Sequence, residues 1–181
     1  ATGGNSTSIG NGNSVSGKNS GSLGQLGSIT GNKSYSLGNN NVIAQDSSFV
    51  IGNDITTTQA NSVVLGSAST DRSSVATPTG MINGSSYDYA GTAPVGVVSV
   101  GATDAERQLI NVAAGQVTAT STDGINGSQL YATNSAIKLL DDNAVQYDLN
   151  PDGTVNYNSV TLGGDTYNSF NKTGGTKITN V

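Results

Sequence analysis

Apolar positions recur every fourteen residues through the first third of the chain. Registered from Ser6, five segments open with Ser6, Ser20, Ser34, Ser48 and Ser62. Three residues later each has a branched aliphatic, Ile9, Leu23, Leu37, Ile51 or Leu65, followed by Gly10, Gly24, Gly38, Gly52 or Gly66. A second apolar column holds Val15, Ile29 and Ile43 and fades at Thr57. Fixed spacing across several columns marks a repeat architecture and outranks any single-residue motif. Within a unit the character alternates: Thr7 pairs with Ile9, Tyr35 with Leu37, Phe49 with Ile51 and Val63 with Leu65, around Ser8, Ser22, Ser36, Val50 and Val64. A period of two is the signature of a strand, and glycine permits the tight corner that follows. Two short strands and two turns then make one coil of a narrow solenoid, five of which rise roughly 24 Å at inter-strand spacing.

This pattern places Ile9, Leu23, Leu37, Ile51 and Leu65 in the core with Val15, Ile29 and Ile43, and turns the intervening positions the other way. On that reading Leu37→Asp destabilises the solenoid far more than Lys33→Ala, because it puts a charge inside stacked coils. One coil buries too little to stand alone, so a continuous core needs stacked neighbours. Val50, Val64 and Tyr35 are apolar groups left for another surface, which points to coils of several chains packing together.

The repeat falters after Gly66, where Asp71-Arg72 and Pro78-Thr79-Gly80 intervene. Residues 75–93 predict an inserted hairpin, with Asn83-Gly84 as its type I′ turn. Val97-Val98-Ser99-Val100-Gly101 then repeats the pattern of Val63-Val64-Leu65-Gly66, so the excursion re-enters in phase. Further on, Thr122 is a candidate helix cap and Asp123 a first-turn acid. Leu130, Thr133, Ile137 and Leu140 follow three-four spacing, a possible coiled-coil seam. After that helix, segments 144–149 and 154–159 flank the turn Asn150-Pro151-Asp152-Gly153, and Val160-Thr161-Leu162 reads as another short strand.

Composition narrows the function classes. Only 10% of residues are charged, 5% are aromatic, and 25 are Gly, while the net charge of −5 argues against a nucleic-acid surface. Cys and His are both absent, which removes disulfides, Ser-His-Asp and Cys-His catalysis and the usual zinc sets. No metal, cofactor or catalytic residue is expected. Asp148 superficially opens a calcium loop, but the twelfth position is Ser159 rather than Glu. No run approaches the twenty or so apolar residues of a membrane helix, so this segment is not expected to insert in a membrane.

Arg107-Gln108-Leu109-Ile110-Asn111-Val112-Ala113-Ala114-Gly115, followed by Thr122-Asp123-Gly124-Ile125-Asn126-Gly127-Ser128-Gln129-Leu130, resembles the neck of YadA-like trimeric autotransporter adhesins. That neck reads approximately R-x-I-x-N-V-A-x-G, then T-D-A-V-N-x-x-Q-L. The chain departs from it with Leu109 and with Gly124-Ile125. The ladder is similar to the family's S-x-A-I-G head repeat, and the inserted hairpin resembles its head insert motif. The resemblance implies a mainly β fold: a trimeric left-handed parallel β-roll, a neck, a short coiled coil and a small β-rich module. Its parts are expected at 1–74 and 95–106 (head repeats), 75–94 (insert), 107–127 (neck), 128–142 (coiled coil), 143–175 (a YDD-like or β-prism module) and 176–181 (the start of a second neck, echoed in Lys177-Ile178-Thr179-Asn180-Val181).

Carried onto this chain, the neck residues are Arg107, Leu109, Asn111, Val112, Gly115, Asp123, Asn126 and Leu130, and the coiled-coil residues are Leu130, Ile137 and Leu140. Asn111 and Asn126 are expected to bond backbone, and Arg107 to pair with Glu106 or with an acidic residue of another chain. The resemblance implies a homotrimeric, non-enzymatic passenger displayed on a Gram-negative cell surface, its outer-membrane anchor elsewhere. Its expected partners are host matrix, host cells or copies of itself, giving attachment, autoaggregation or biofilm and a part in virulence. A phage tail fibre shares the trimeric β plan. A polysaccharide-acting solenoid enzyme would need a lined acidic groove, whereas Asp46, Asp54 and Asp71 never recur at equivalent sites. An ice-binding solenoid would need regular Thr-x-Thr columns, and Thr56-Thr57-Thr58 stands alone.

Overall fold

The computed structural model describes residues 1–176 and forms two compact units, one from Ala1 to Gly124 and one from Ile125 onward. The echo of the neck in residues 177–181 lies outside the described residues.

In the first unit each coil supplies a three-residue strand and a two-residue strand. The longer strands, β1 (Thr7–Ile9), β3 (Gly21–Leu23), β5 (Tyr35–Leu37), β7 (Phe49–Ile51) and β9 (Val63–Leu65), stack in parallel in that order, and β12 (Val98–Ser99) follows β9. The shorter ones, β2 (Ser14–Val15), β4 (Ser28–Ile29), β6 (Val42–Ile43) and β8 (Thr56–Thr57), form a second parallel sheet. The register follows the sequence period: Ile9 lies against Leu23, Leu23 against Leu37, Leu37 against Ile51 and Ile51 against Leu65. Val98 lies against Val63, so the returning strand rejoins the stack in phase.

The excursion between β9 and β12 contains an antiparallel hairpin of β10 (Thr79–Ile82) and β11 (Ser85–Asp88). Its turn has positive φ at both Asn83 (47°) and Gly84 (78°), as a type I′ turn requires.

The interior corrects one expectation. Val15, Ile29 and Ile43 are buried, together with Val50, Ile55 and Val64, all at 0–2% exposure. Ile9, Leu23, Leu37 and Ile51 instead lie on the outside at 47–56% exposure, and Leu65 is half-buried. The strands alternate as expected but with the opposite face inward: the intervening column of Ser22, Ser36, Val50 and Val64 points into the coil. The reason is what already fills the coil. Val15, Ile29, Ile43 and Ile55 occupy the interior from the opposite side. The space left beside this strand is tight, since a Cβ on buried Gly27 would fall 2.3 Å from Ser22 Oγ. The larger aliphatics of the same strands therefore point out. Leu37→Asp consequently places no charge inside the coils.

The second unit contains helix α1 (Gly127–Asn143) and a mostly irregular segment. None of the helix residues is buried.

Ile43→Ala should lower stability by about 2–5 kcal/mol, the cost of a cavity in a thin core. Val75→Ala, on an exposed side chain, should stay within about 0.5 kcal/mol. Thermal melts followed by circular dichroism compare them, and equal shifts would contradict the inward assignment.

Candidate functional site

The corners of the ladder are held by side chains that reach from one coil to the next. Ser20 Oγ donates to Gly31 O at 2.8 Å and accepts from Ser34 N at 3.3 Å. Ser34 repeats the arrangement one coil on, donating to Gln45 O at 2.7 Å and accepting from Ser48 N at 3.1 Å. From Ser6 to Ser48 the serine column is thus a chain of hydrogen bonds along the stack, which explains why a polar residue opens these repeats. At the next corner the glycine column allows contact between backbones. Gly38 has φ 134°, and a Cβ there would sit 1.7 Å from Gly52 O, so no larger residue fits. Gly10, Gly24, Gly52 and Gly66 share this positive φ.

Two further corner columns also adopt positive φ, and mostly without glycine. One runs through Asn5, Asn19, Lys33, Ser47 and Asn61; the other through Gly12, Leu26, Asn40, Asp54 and Ala68. Their carboxamide neighbours link successive coils, as where Asn39 N and Nδ2 both donate to Asn53 Oδ1 at 2.9 Å. These positions were not singled out from the sequence, although the density of Asn at fourteen-residue spacing was a usable signal.

Because the interior takes the intervening column, the outer face of the longer sheet is apolar. Thr7, Tyr35, Phe49 and Val63 occupy one row of that face, and Ile9, Leu23, Leu37, Ile51 and Leu65 the next, on strands in strict register. The Tyr35 and Phe49 rings stack with centroids 5.7 Å apart. These two rows make a regular, exposed apolar surface along the ladder, and surfaces of this kind mark association sites.

The far end of the ladder is closed by Arg107. A tight turn pairs Ala102 with Ala105, and Asp104 within it has φ 62°. The chain reverses there and carries Arg107 back across the last coil. Its Nη1 donates to Ser69 Oγ at 2.9 Å and to Val100 O at 2.8 Å, and its Nη2 to Ser67 O at 2.9 Å. The guanidinium lies where the ladder would otherwise stack another corner: a Cβ on Gly66 would meet Arg107 Cζ at 2.8 Å. Within the chain Arg107 therefore caps backbone carbonyls and a serine hydroxyl rather than pairing with Glu106. Glu106 is engaged elsewhere, its Oε1 accepting from Asp104 N at 3.1 Å. Five donors on a planar fork suit this task better than an ammonium.

Asp71 serves the same end of the stack. It accepts from Thr58 N at 2.8 Å, Thr58 Oγ1 at 2.8 Å and Gln59 N at 2.9 Å. Partial burial pushes its carboxyl upward, but these hydrogen bonds outweigh it and hold the pKa below the ordinary carboxylate value. Asp71 and Arg107 line an open cleft with Val98, Gly101 and Glu106.

Of the other expected neck residues, Leu109 and Val112 are exposed, and Asn111 contributes a left-handed turn (φ 61°). Gly115 fits closely under the following strand of chain, where a Cβ would meet Gly124 O at 2.3 Å. Asp123 Oδ2 accepts from Gln116 N at 2.9 Å and so ties these two segments together. In the second unit the helix cap is Asn126, not Thr122. Asn126 Oδ1 accepts from Gln129 N and Gln129 Oε1 accepts from Asn126 N, both at 3.3 Å, a reciprocal capping box. Asn126-Gly127-Ser128-Gln129 carried that signal in the sequence, and Thr122 and Asp123 precede the helix altogether.

Leu130, Ile137 and Leu140 are all exposed on α1. Beyond the helix, the expected strands shrink to isolated bridges, Leu149 with Val155 and Asn168 with Thr173. Among the described residues no further strand joins them, and two short segments alone do not sustain a sheet. The Asn150–Gly153 turn does form, with Gly153 N donating to Asn150 O at 2.9 Å. Among the described residues there is no cluster of metal-binding side chains and no helix long and apolar enough to cross a membrane.

A parallel β-solenoid with a fourteen-residue coil, an arginine-closed end and a short helix is a mainly β plan with a known counterpart. The family described as the coiled stalk of trimeric autotransporter adhesins matches residues 108–147. Autotransporter adhesin BtaE of Brucella suis biovar 1 (strain 1330) is 52% identical over 97 residues, 50% of this chain and 13% of that protein. The solved C-terminal YadA-like domain of BPSL2063 from Burkholderia pseudomallei is 38% identical, with a TM-score of 0.54 over 71% of this chain and 64% of that one. Together these findings support a YadA-like trimeric autotransporter adhesin. The chain spans about an eighth of the length of the curated relative it matches.

Arg107→Ala should lower the melting temperature of the ladder, with Arg107→Lys recovering only part of the loss, because three carbonyl and hydroxyl acceptors lose their donors. Unchanged melting for the alanine variant would refute the capping role. The lowered pKa of Asp71 adds stability that is complete above its unfolded value and lost as pH falls through its folded value. Melting temperature should therefore drop on acidification below about pH 4, and less steeply in Asp71→Asn, which starts from a lower neutral-pH value. Parallel pH profiles for the two proteins would count against it.

Proposed function

We propose that three copies of this chain pack side by side through the apolar outer face of the longer sheet, forming a stiff segment of a surface-displayed adhesin passenger. The observation that carries this reading is the exposed row of Ile9, Leu23, Leu37 and Ile51 beside stacked Tyr35 and Phe49, in a fold whose own interior is already filled by another column. Each of these aliphatics has about half its surface left to bury, roughly 1 kcal/mol apiece. Repeated along the face and over three copies, that is enough to drive association of a ladder whose own core is thin. The similarity to a trimeric adhesin stalk and to a YadA-like domain supports three as the number of copies.

The helix fits the same assembly. Leu130, Ile137 and Leu140 have no cover within one chain, and a three-helix coiled coil would bury them together. By similarity to the adhesin BtaE, the assembled fibre stands outside the cell, attached through an outer-membrane anchor. It mediates adhesion to host matrix or host cells, autoaggregation or biofilm formation. In this reading the segment performs no catalysis: its work is reach and contact.

Light scattering should give a trimer mass for the chain, with a trimeric clamp fused at its end if the segment alone dissociates. Leu37→Asp should shift that mass to the monomer, since it sets three charges in one apolar seam. Binding of the trimer to matrix proteins and to whole cells, compared with Leu37→Asp, tests the adhesive role. A monomeric wild-type chain with native spectra overturns the assembly, and a trimer that retains nothing leaves the segment a spacer.

A further inference from the structure

The hairpin that interrupts the ladder carries a chemistry that the ladder itself suppresses. We propose that Asn83 is a site of spontaneous deamidation and isomerisation, so that the inserted hairpin ages while the solenoid beneath it does not. In this reaction the backbone nitrogen of Gly84 attacks Cγ of Asn83, closing a succinimide ring. The side-chain nitrogen leaves as ammonia. Water then opens the ring at either carbonyl, giving Asp or isoaspartate. No oxidant, metal or enzyme is required, and the nitrogen becomes nucleophilic as the pH rises.

The chain holds three Asn-Gly pairs, Asn11-Gly12, Asn83-Gly84 and Asn126-Gly127, and the structure separates them. Asn126 is locked: its Oδ1 accepts from Gln129 N at 3.3 Å and from Ser128 Oγ at 2.8 Å, and Gly127 begins the helix. Asn11 lies at a ladder corner, where its carbonyl accepts from Leu26 N at 3.0 Å. The following Gly12 lies under Leu26, whose Cδ2 would be 2.8 Å from a Cβ there. Ring closure at either site must first break stacked or capped structure.

Asn83 has none of these restraints. It is exposed at the tip of a two-stranded hairpin whose four residues per strand are almost all exposed. Around Gly84 a Cβ would find no heavy atom within 4 Å, so the side of the turn at the residue after Asn83 is open. A lone hairpin opens locally at little cost, and Gly84 lets the backbone rotate toward the reactive geometry. The product matters mechanically. Isoaspartate reroutes the main chain through the side-chain carbon, adding one atom to a two-residue turn. The type I′ turn cannot accommodate that atom, and the pairing of Ile82 with Ser85 is lost first.

The intact protein is incubated at mildly alkaline pH, and peptides covering the three sites are followed by mass spectrometry. The Asn83 peptide should acquire the mass change of an amide becoming an acid and split into Asp and isoaspartate forms. It should do so several-fold faster than the Asn11 and Asn126 peptides. In denaturant the three rates should converge, and Asn83→Gln should leave that peptide unchanged under both conditions. Native rates that are equal, or an Asn83 that outlasts Asn11 or Asn126, would overturn the proposal.

Discussion

Everything in the ladder rests on the hydrogen bonds between one coil and the next. No coil has an interior large enough to hold itself, and each strand is only two or three residues long. What stabilises a coil is its neighbour, through the backbone ladder, the serine column and the corner carboxamides, all repeating at the same separation. A stack of this kind has one inherent weakness, its ends, where donors and acceptors are left facing nothing. Arg107 addresses that weakness at one end. It presents donors in a plane, as another layer of backbone would, and so ends the stack without exposing it.

The same constraint explains why the outer face is greasy. The interior is filled by Val15, Ile29, Ile43 and Ile55 together with the column of Ser22, Ser36, Val50 and Val64, so alternation along the longer strands turns Ile9, Leu23, Leu37 and Ile51 outward. The inner core gives the coil its shape, and the outer strip is the surface that the proposed assembly would cover.

Much of this was legible from residues alone. The period, the strands, the hairpin at Asn83-Gly84 and the return of Val98 in phase all follow from spacing and turn chemistry. Three features were not. Alternation cannot say which face points inward: apolarity favours the column of Leu23, Leu37 and Ile51, whereas the interior, already holding Ile29, Ile43 and Ile55, takes Ser22, Ser36 and Val50. The helix start was placed at Thr122 because a threonine followed by an acid is a common cap, yet Asn126 with Gln129 offers two reciprocal bonds and wins. Arg107 suggested an ion pair, since sequence shows charges and not carbonyls. Its partners within the chain, Ser67, Ser69 and Val100, lie up to 40 positions away in sequence and are brought together only by the stack.

The two columns of left-handed corners have a consequence for how such a rod can change length. Asn5 and Gly12, Asn19 and Leu26, Lys33 and Asn40 stand seven positions apart, half a coil, although the two halves differ in strand length and only one carries the positive-φ glycine column. Gain or loss of a whole coil leaves every corner, file and face where it was, and the rod simply grows or shortens by one step. Half a coil would exchange the two sheets and set a three-residue strand, with its glycine corner, against a two-residue one. Whole-coil steps are therefore the increments in which this architecture can be edited without breaking its register.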